Sequence, residues 1–593
     1  MECVGWAFLA ILTIFFLATS WRKWPDPLID FGHDLYIPWR IAQGALLYRD
    51  IDDIYGPLSQ YLNAGLFRVF GVGMMVLEGA NILVFLAILI VVYLLFRRAW
   101  GRFAAFVSSA IFIAVFGFAQ YVGIGNYNYA APYSHESTHG MLVSVLLLLV
   151  LVRWEEAPTV RRSFLAGGLL GLAAVLKPEF LLAGALTTLA ALLMRWRCRK
   201  PVPRESIALW GAGIVLPTLA FAAWFSIWLP WSTALANASR AWLNAAGTAR
   251  FTSDPVQAGF LGLDHPWQNL AEHGQATLLA ALAIASICGL AWLAEQRTRP
   301  WQRVAFSAAA ILGAGWLSIF PMNWSGVGRC LLGLTLAYVL FAAVSAIRRA
   351  PAGPNIPVAT LRLMIALLAA ALMARMFLNG RIFQYGFYQA ALAGMLVPAV
   401  MLSELPARLR LKDWGKAVVV LAGLALFVPG VVLLAGQSQS ILNRKTLPIG
   451  RGGDQFYAFP QEIDSSGELV RRVIDWIRQH PGPRSLVVLP EGEMINYLVR
   501  MPNPVAPFIF YSWATSEGRS EKVVYELQQR PPDLVVIISR DLSEYGIARY
   551  GEAPGKGREI MRWVEANYRK AESIGGDPLD NRARGALILQ RKR

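Results

Sequence analysis

The chain has 593 residues, of which 56% are hydrophobic and only 16% charged, and its mean hydropathy is +0.45. Because a soluble domain carries about 25% charged residues, this composition excludes a soluble, disordered, collagen-like or disulfide-stabilised protein and predicts a polytopic membrane protein. The formal net charge is +17, but the basic residues cluster in short segments between apolar runs, which indicates membrane topology and no nucleic-acid partner.

Apolar runs of about 20 residues, long enough to cross a bilayer as helices, recur through the first 436 residues. The first run has no Lys or Arg before it, so it predicts an uncleaved helix rather than a signal peptide. The run 163–194 is interrupted at Pro178 and predicts two short helices. With those two, the pattern predicts about thirteen spans, the others at 4–20, 74–96, 103–121, 139–153, 206–229, 276–293, 303–320, 330–347, 358–377, 386–403 and 416–436.

The loop after the first span, residues 21–73, is rich in acidic residues. Five carboxylates lie within 24 residues, at Asp30, Asp34, Asp50, Asp52 and Asp53. A carboxylate at the membrane surface can activate a hydroxyl group of a substrate as a general base. The alternative interpretation is a solvated amphipathic loop.

Residues His135-Glu136-x-x-His139 match the HExxH pattern, in which two His one helical turn apart bind zinc and the Glu acts as a base. His135 and His139 are therefore candidate ligands for a divalent metal. The sequence offers no third ligand of the kind that an intramembrane metalloprotease needs, so a role of His135 and Glu136 in substrate binding, or a structural polar cap, is favoured over proteolysis.

Lys177-Pro178-Glu179 places two ionisable residues at the turn between two predicted spans. Burying such a residue at membrane depth costs roughly 2.5–3.5 kcal/mol, so it indicates a functional site. Lys177 can meet a lipid phosphate as a point charge, with Glu179 beside it in the substrate site. Alternatively, Lys177 pairs with Glu179 or extends to the interface.

Three arginines, Arg329, Arg375 and Arg381, lie at the predicted outer ends of spans, where basic residues are disfavoured. Arginine matches phosphate geometry with two parallel hydrogen bonds. Arg329 and Arg381 are therefore candidate substrate-binding residues, and interfacial anchoring is the alternative.

Residues 437–593 have a different pattern from the rest of the chain. Short β-rich runs at 485–489, 533–538 and 585–589 alternate with helical stretches at 466–479, 517–529 and 556–570. The sequence thus predicts two domains, a transmembrane domain over 1–436 that includes the loop 21–73, and a small α/β domain over 437–593.

Basic residues are concentrated in alternate loops, at 97–102, 153–162, 195–205, 294–302, 348–357 and 404–415. The positive-inside rule therefore predicts a cytoplasmic N-terminus. An odd number of spans then places the loop 21–73 and the domain 437–593 outside the cytoplasm.

An acidic first outer loop, about thirteen spans and an external C-terminal domain resemble the GT-C glycosyltransferases, in particular the protein O-mannosyltransferases and the lipid A aminoarabinose transferases. In that family the loop begins with an acidic pair followed by a basic residue or His, and later reads His/Lys-Pro-Pro-Leu. Asp30-x-x-His33 is similar to the first segment, and the resemblance implies that Asp30 is the catalytic base. Phe31 follows Asp30, so the paired acid is missing unless Asp34 supplies it, and both aspartates are catalytic candidates.

The later segment of the loop reads Tyr55-Gly56-Pro57-Leu58 and departs from the family at its first two residues. By this resemblance, His33 and Tyr55 are candidate substrate-binding residues. A phosphate contact that the family makes from the position of Tyr55 would have to come from another residue here.

The resemblance implies an inverting hexosyl- or pentosyltransferase in a cytoplasmic membrane of bacterial type. It would move a sugar from a polyprenyl-phosphate donor to a lipid, glycan or protein acceptor at the outer face. No nucleotide-binding motif is present, which agrees with a lipid-linked donor, and no cofactor is implied beyond the divalent metal left open above. A transporter or flippase for a lipid-linked sugar and an HExxH metalloprotease are the alternatives.

Overall fold

The computed structural model describes residues 2–123, 128–198, 202, 204–248, 255–348, 356–511, 519–554, 556–580 and 584–592. The helices up to the middle of the chain are α1 Glu2–Ser20, α2 Phe31–Ala42, α3 Pro57–Phe70, α4 Met74–Trp100, α5 Arg102–Ile111, α6 His135–Glu156, α7 Val160–Ala174, α8 Pro178–Arg197, α9 Arg204–Ser226, α10 Trp231–Ala238, α11 Arg240–Thr248 and α12 Pro255–Leu261. They are followed by α13 Pro266–Gln296, α14 Pro300–Ile319, α15 Gly328–Arg348, α16 Ile356–Met373, α17 Ala391–Ala399, α18 Leu405–Arg408 and α19 Asp413–Asn443, and then by α20 Ser466–Gln479, α21 Glu493–Val499, α22 Arg519–Gln529 and α23 Arg558–Asn567.

Each predicted span coincides with a helix. Within the described ranges, nine helical runs are long and apolar enough to cross a membrane, namely α1, α4, α6, α8, α9, α13, α15, α19 and the run Phe387–Arg408 that contains α17 and α18. The other predicted spans coincide with α5, α7, α14 and α16, which fall short of that length or apolar content. The predicted fold class, a polytopic helical membrane protein with a C-terminal α/β domain, is confirmed.

The C-terminal part, which we call the tail domain (437–593), contains two sheets. Strands β1 Leu447–Ile449 and β2 Phe456–Ala458 pair antiparallel, and β3 Leu486–Leu489, β4 Leu534–Ile538, β5 Tyr568–Gly575 and β6 Gly585–Arg591 form a sheet of order β3-β4-β6-β5. In that sheet β3 and β4 are parallel and the other pairs antiparallel. The helix predicted over 556–570 ends at Asn567, because the chain turns into the edge strand β5, whose exposed charged residues hide the β pattern.

The tail domain packs directly on the loop 21–73. Phe31 and Leu35 of α2 share one apolar core with Val470 and Met494 of the tail domain. A Cβ added at Gly32 would lie 2.3 Å from the backbone nitrogen of Met494, so glycine is required where α2 crosses α21. The loop that carries the candidate base is therefore built into the core of the tail domain.

Basic residues of the predicted inner loops meet at the other end of the helix bundle. Arg97, at the end of α4, lies 2.7 Å from Glu2, the first residue of α1. Glu404 is buried there and accepts hydrogen bonds from Trp100, Tyr338 and Arg408. The acidic loop and these basic ends thus lie on opposite sides of the membrane-spanning bundle.

Candidate active site

Asp30 lies in a strained turn that leads into α2. Its backbone has φ 56° and ψ −52°, and the Phe31 N–H donates to the Ile29 carbonyl at 2.6 Å across it. This is a γ-turn of the kind that residues other than glycine rarely adopt. Strain of about 1–3 kcal/mol in the backbone persists mainly where a functional site requires the conformation.

The surroundings of Asp30 favour a carboxyl group that titrates near neutral pH. Burial raises the pKa of Asp30 to about 7, and the negative charge of Glu491 adds to the increase, whereas His33 and Arg540 oppose it. A general base works best when its pKa is close to the working pH. Asp30 therefore has the ionisation behaviour that proton abstraction at neutral pH requires.

Asp34, one turn further along α2, is only 1% exposed and lies between two histidines. Its Oδ1 is 3.2 Å from His33 Nε2, and its Oδ2 is 3.3 Å from His135 Nδ1. The backbone N–H of His135 also donates to Oδ2, at 3.2 Å. Asp34 therefore connects α2 to the N-terminus of α6.

Asp34 and His33, which are neighbours in α2, form an ion pair. Burial opposes the charge of Asp34, but His33 and His135 outweigh it and lower the pKa of Asp34 to about 2. Burial likewise opposes protonation of His33, yet Asp34 raises the pKa of His33 to about 10. A carboxylate with so low a pKa is a weak proton acceptor, so Asp30 suits the role of the base better than Asp34.

Two carboxyl groups, Asp53 of the loop and Glu136 of α6, are bridged by a glutamine, a pairing that the sequence did not indicate. The amide of Gln60 donates to Asp53 Oδ2 at 3.2 Å and to Glu136 Oε1 at 3.0 Å. Burial, followed by the charge of Glu136, raises the pKa of Asp53 to about 7. The sequence indicated Asp53 only as one of five acidic residues in the loop. No local sequence pattern links Asp53 to Glu136, so their pairing could not be predicted.

Lys177 is buried, with 4% of its surface exposed, and faces hydroxyl groups. Its Nζ donates to Ser134 Oγ at 2.7 Å and to Ser137 Oγ at 3.0 Å, and it lies 4.0 Å from the centre of the Tyr55 ring. Ser134 in turn donates to Glu136 Oε2 at 2.9 Å. Among the described residues, Lys177 and Glu179 do not form an ion pair. The contacts of the Lys177 ammonium group are instead two hydroxyl groups and the face of an aromatic ring.

The two segments that the sequence suggested separately are hydrogen-bonded to each other. The Gly56 N–H donates to the Leu176 carbonyl at 2.9 Å, and the Leu58 N–H donates to the Val175 carbonyl at 3.2 Å. A Cβ at Gly56 would lie 2.2 Å from the Val175 oxygen. Gly56, a departure from the family pattern, is thus what allows Tyr55 to reach Lys177.

Gly56→Ala is expected to lower the free energy of unfolding by about 1–3 kcal/mol, because the methyl group overpacks the contact with Val175. The contact between Tyr55 and Lys177 should be disturbed as well, since both residues adjoin the displaced backbone. The matched control is Gly65→Ala in α3, where an added Cβ meets nothing within 4 Å and the helix gains about 0.5–1 kcal/mol. Thermal unfolding of both variants checks this, and equal stability of the two would contradict it.

The three candidate arginines lie in different surroundings. Arg375, in the turn after α16, lies 4.6 Å from the centre of the Tyr385 ring and is within electrostatic range of Glu179 and Tyr55. Arg329 pairs with Glu272 of α13, and Arg381 is exposed. Arg375 is therefore the arginine that the structure brings to the Lys177 side of the site.

The HExxH residues lie in the first turn of α6. The ring centres of His135 and His139 are 6.1 Å apart, but His135 faces Asp34, and His139 Nδ1 lies 2.9 Å from Ser59 Oγ. Among the described residues no group of three or more His, Cys, Asp or Glu is placed to hold a metal ion. The arrangement of this donor set does not fit a zinc centre.

Apolar space begins close to the Lys177 cluster. Tyr388 donates to Ser137 Oγ at 2.5 Å, and its neighbour Phe387 lines an apolar cavity between α13, α15 and α17. That cavity shares Ile284, Leu334 and Val397 with a second one of about 660 Å³. The first cavity holds about 80 Å³, so most of this apolar space lies in the second one, further from the hydroxyl groups around Lys177.

Neither the protein-family models nor the curated proteins compared with the sequence give a match. Among solved structures, the Archaeoglobus fulgidus oligosaccharyltransferase tethered with an acceptor peptide containing the NVT sequon superimposes with a TM-score of 0.50 and 14% identity, over 99% of this chain and 74% of that one. Its apo form gives a TM-score of 0.50 and 14% identity, over 96% and 73%. Apo ArnT from Cupriavidus metallidurans gives a TM-score of 0.41 and 14% identity, over 99% and 98%. The agreement with the oligosaccharyltransferase shows that the chain shares the polytopic membrane fold of that protein.

Proposed function

We propose that the protein is an inverting glycosyltransferase that moves a sugar from a polyprenyl-phosphate donor to an acceptor hydroxyl at the outer face of a bacterial-type cytoplasmic membrane. The observation that carries this proposal is the Asp30 carboxyl group, whose pKa is raised to about 7 in a loop that also presents Tyr55 to the buried ammonium group of Lys177. Tyr55 lies within electrostatic range of Asp30 and against Lys177, so it relates a base to a cation, the two groups that sugar transfer from a lipid phosphate needs.

In the proposed reaction, Asp30 accepts the proton of the acceptor hydroxyl as its oxygen attacks the anomeric carbon of the donor. The bond from that carbon to the phosphate oxygen breaks, and polyprenyl phosphate leaves with the electron pair. Attack from the face opposite the leaving group inverts the configuration of the anomeric carbon.

Lys177, together with Arg375, stabilises the departing phosphate. Negative charge on the leaving oxygen grows toward the transition state, and a fixed cation in a site of low water content acts most strongly on such a charge. The polyprenyl chain occupies the apolar cavities next to Phe387. The tail domain and the loop 21–73 enclose the acceptor side, and the basic ends of the bundle, such as Arg97, face the cytoplasm.

The test is donor turnover by the purified protein in detergent, with a panel of radiolabelled polyprenyl-phosphate hexoses and pentoses. Transfer predicts release of polyprenyl phosphate and movement of the label to a lipid, glycan or peptide acceptor. The proposal involves no organic cofactor, and assays with and without a chelator show whether a divalent metal contributes. Label that crosses the bilayer of a proteoliposome while it stays on the lipid would instead identify a transporter.

A further inference from the structure

A buried carboxylate of the tail domain reaches the backbone of Asp30. Glu491, which follows β3, is 0% exposed, and its Oε1 accepts the Asp30 N–H at 3.2 Å. Its Oε2 accepts the Tyr511 hydroxyl at 2.8 Å and Arg540 Nε at 3.1 Å. Glu491 is thus fixed from behind by two tail-domain side chains and presents its other oxygen to the first outer loop.

The hydrogen bond from the Asp30 N–H to Glu491 satisfies a backbone donor of the strained turn. The Asp30 N–H precedes α2 and lies outside the hydrogen-bond ladder of that helix, so it requires an acceptor from elsewhere. Gly32, two residues further on, touches the backbone of Met494 in the same tail-domain segment. The turn around Asp30 is therefore held from the tail-domain side by both a hydrogen bond and a close backbone contact.

The charges around Asp30 come from three segments of the chain. Glu491 and Asp26 oppose ionisation of the Asp30 carboxyl, and Arg540 and His33 favour it. The tyrosines that face it are Tyr511 and Tyr545 of the tail domain and Tyr55 of the loop. Glu491 has a larger effect than Asp26, and Arg540 is the counterion of Glu491.

We propose that Glu491, fixed by Arg540 and Tyr511, is a positioning residue that holds Asp30 in its strained turn and sets the electrostatic field at its carboxyl group. The tail domain is then part of the catalytic machinery. Its role in catalysis rests on the proposed function, in which Asp30 is the base, whereas the contact itself does not depend on it.

The experiment measures ionisation of Asp30 without any need for turnover. The full-length protein in detergent is treated with dicyclohexylcarbodiimide, which adds to protonated carboxyl groups, between about pH 5 and pH 9. Peptide mass spectrometry then measures the labelled fraction of Asp30 at each pH. In the wild type, labelling of Asp30 should fall to half near pH 7.

Two substitutions should move this midpoint in opposite directions. Glu491→Gln keeps the shape of the side chain and removes a negative neighbour, so the midpoint should fall by about one pH unit or more. Arg540→Gln removes a positive neighbour, so the midpoint should rise. A loss of packing alone has no reason to produce opposite shifts, and either variant suffices if the other does not fold.

The matched control is Asp454→Asn, because Asp454 makes a similar contact elsewhere between the tail domain and the membrane domain. Asp454 accepts the backbone N–H of Met74 and the Tyr497 hydroxyl, each at 2.8 Å, and pairs with Arg500 at 2.5 Å. Its loss should loosen the tail domain without moving the midpoint of Asp30.

An unchanged midpoint in the Glu491 and Arg540 variants, or an equal shift in the Asp454 variant, overturns the inference. The same variants are assayed for donor turnover over the same pH range, where the acid limb of kcat/KM should move with the labelling midpoint. Shifted labelling in a protein that turns over no donor would support the contact and reject the proposed function. Asp30-dependent turnover with an unmoved midpoint would reject only the role of Glu491.

Discussion

Asp30→Asn is expected to lower the rate of sugar transfer by about 10²–10⁴-fold, the usual contribution of a general base. The amide has the size of the carboxylate but accepts no proton, and asparagine tolerates a positive φ better than most residues. Because burial raises the pKa of Asp30, the ionised carboxyl destabilises the fold at neutral pH. The variant should therefore unfold at the same temperature as the wild type or higher. Initial rates of polyprenyl phosphate release and thermal unfolding check both statements.

Substitution of two further aspartates of the same loop tests whether the loss of rate is specific to Asp30. Asp34→Asn leaves His33 and His135 without their shared partner and should reduce stability first. Asp50→Asn is the matched control, because Asp50 pairs with Arg49 at 2.7 Å at the edge of the loop, and its rate should stay near that of the wild type. A large loss of rate in the Asp34 variant at normal stability, with little loss in the Asp30 variant, would assign the base to Asp34.

The pH dependence of the wild type follows from the same group. Asp30 is protonated and inactive as a base below its pKa, so kcat/KM should rise as the pH increases through about 7. This rise of kcat/KM with pH should be absent from the residual activity of Asp30→Asn. A rate that is already maximal at pH 5 would contradict the role of Asp30.

The parts of this structure that could be predicted from the sequence are those marked by apolar runs or short motifs. A span is defined by the hydropathy of about 20 consecutive residues, so the long apolar helices between α1 and α19 were predictable one at a time. The loop helices α2, α3 and α10 to α12 are too short and too polar for that signal, and they were not predicted. The strands β3, β4 and β6 were predictable as well, because each is a short run of β-branched and other apolar residues. The edge strand β5 was not, because its buried positions are too few to give a pattern.

Contacts between distant segments are what the sequence could not supply. The bond from Asp30 to Glu491 joins residues 461 positions apart, and no local periodicity encodes such a pair. Gly56 looked like a departure from a family pattern, whereas in the structure it is the residue that lets the loop touch Val175. Arg375 could not be ranked above Arg329 before the pairing of Arg329 with Glu272 was known.

Lys177→Met is expected to lower kcat by about 10²–10³-fold, the loss that follows removal of one stabilising donor from a preorganised site. Methionine fills most of the space of the lysine stem without its charge, so the contact with the Tyr55 ring and the packing of the turn are kept. KM for the donor should rise less than kcat falls, because the charge on the leaving oxygen is larger in the transition state than in the bound donor. Steady-state kinetics with the donor identified from the panel give both values.

Two other cations separate a specific role of Lys177 from a general need for positive charge. Lys445 is buried as well, but its Nζ donates to the carbonyl of Lys23 at 2.8 Å, so Lys445→Met should reduce stability and leave the rate of the folded protein unchanged. Arg381 is exposed, and Arg381→Met should alter kcat by no more than a few-fold. A greater loss of kcat in the Arg381 variant than in the Lys177 variant would place the donor phosphate near Arg381, in the segment between α16 and α17. The buried ammonium group between Ser134, Ser137 and Tyr55 would then serve to join α6 to α8 and not to stabilise the leaving group.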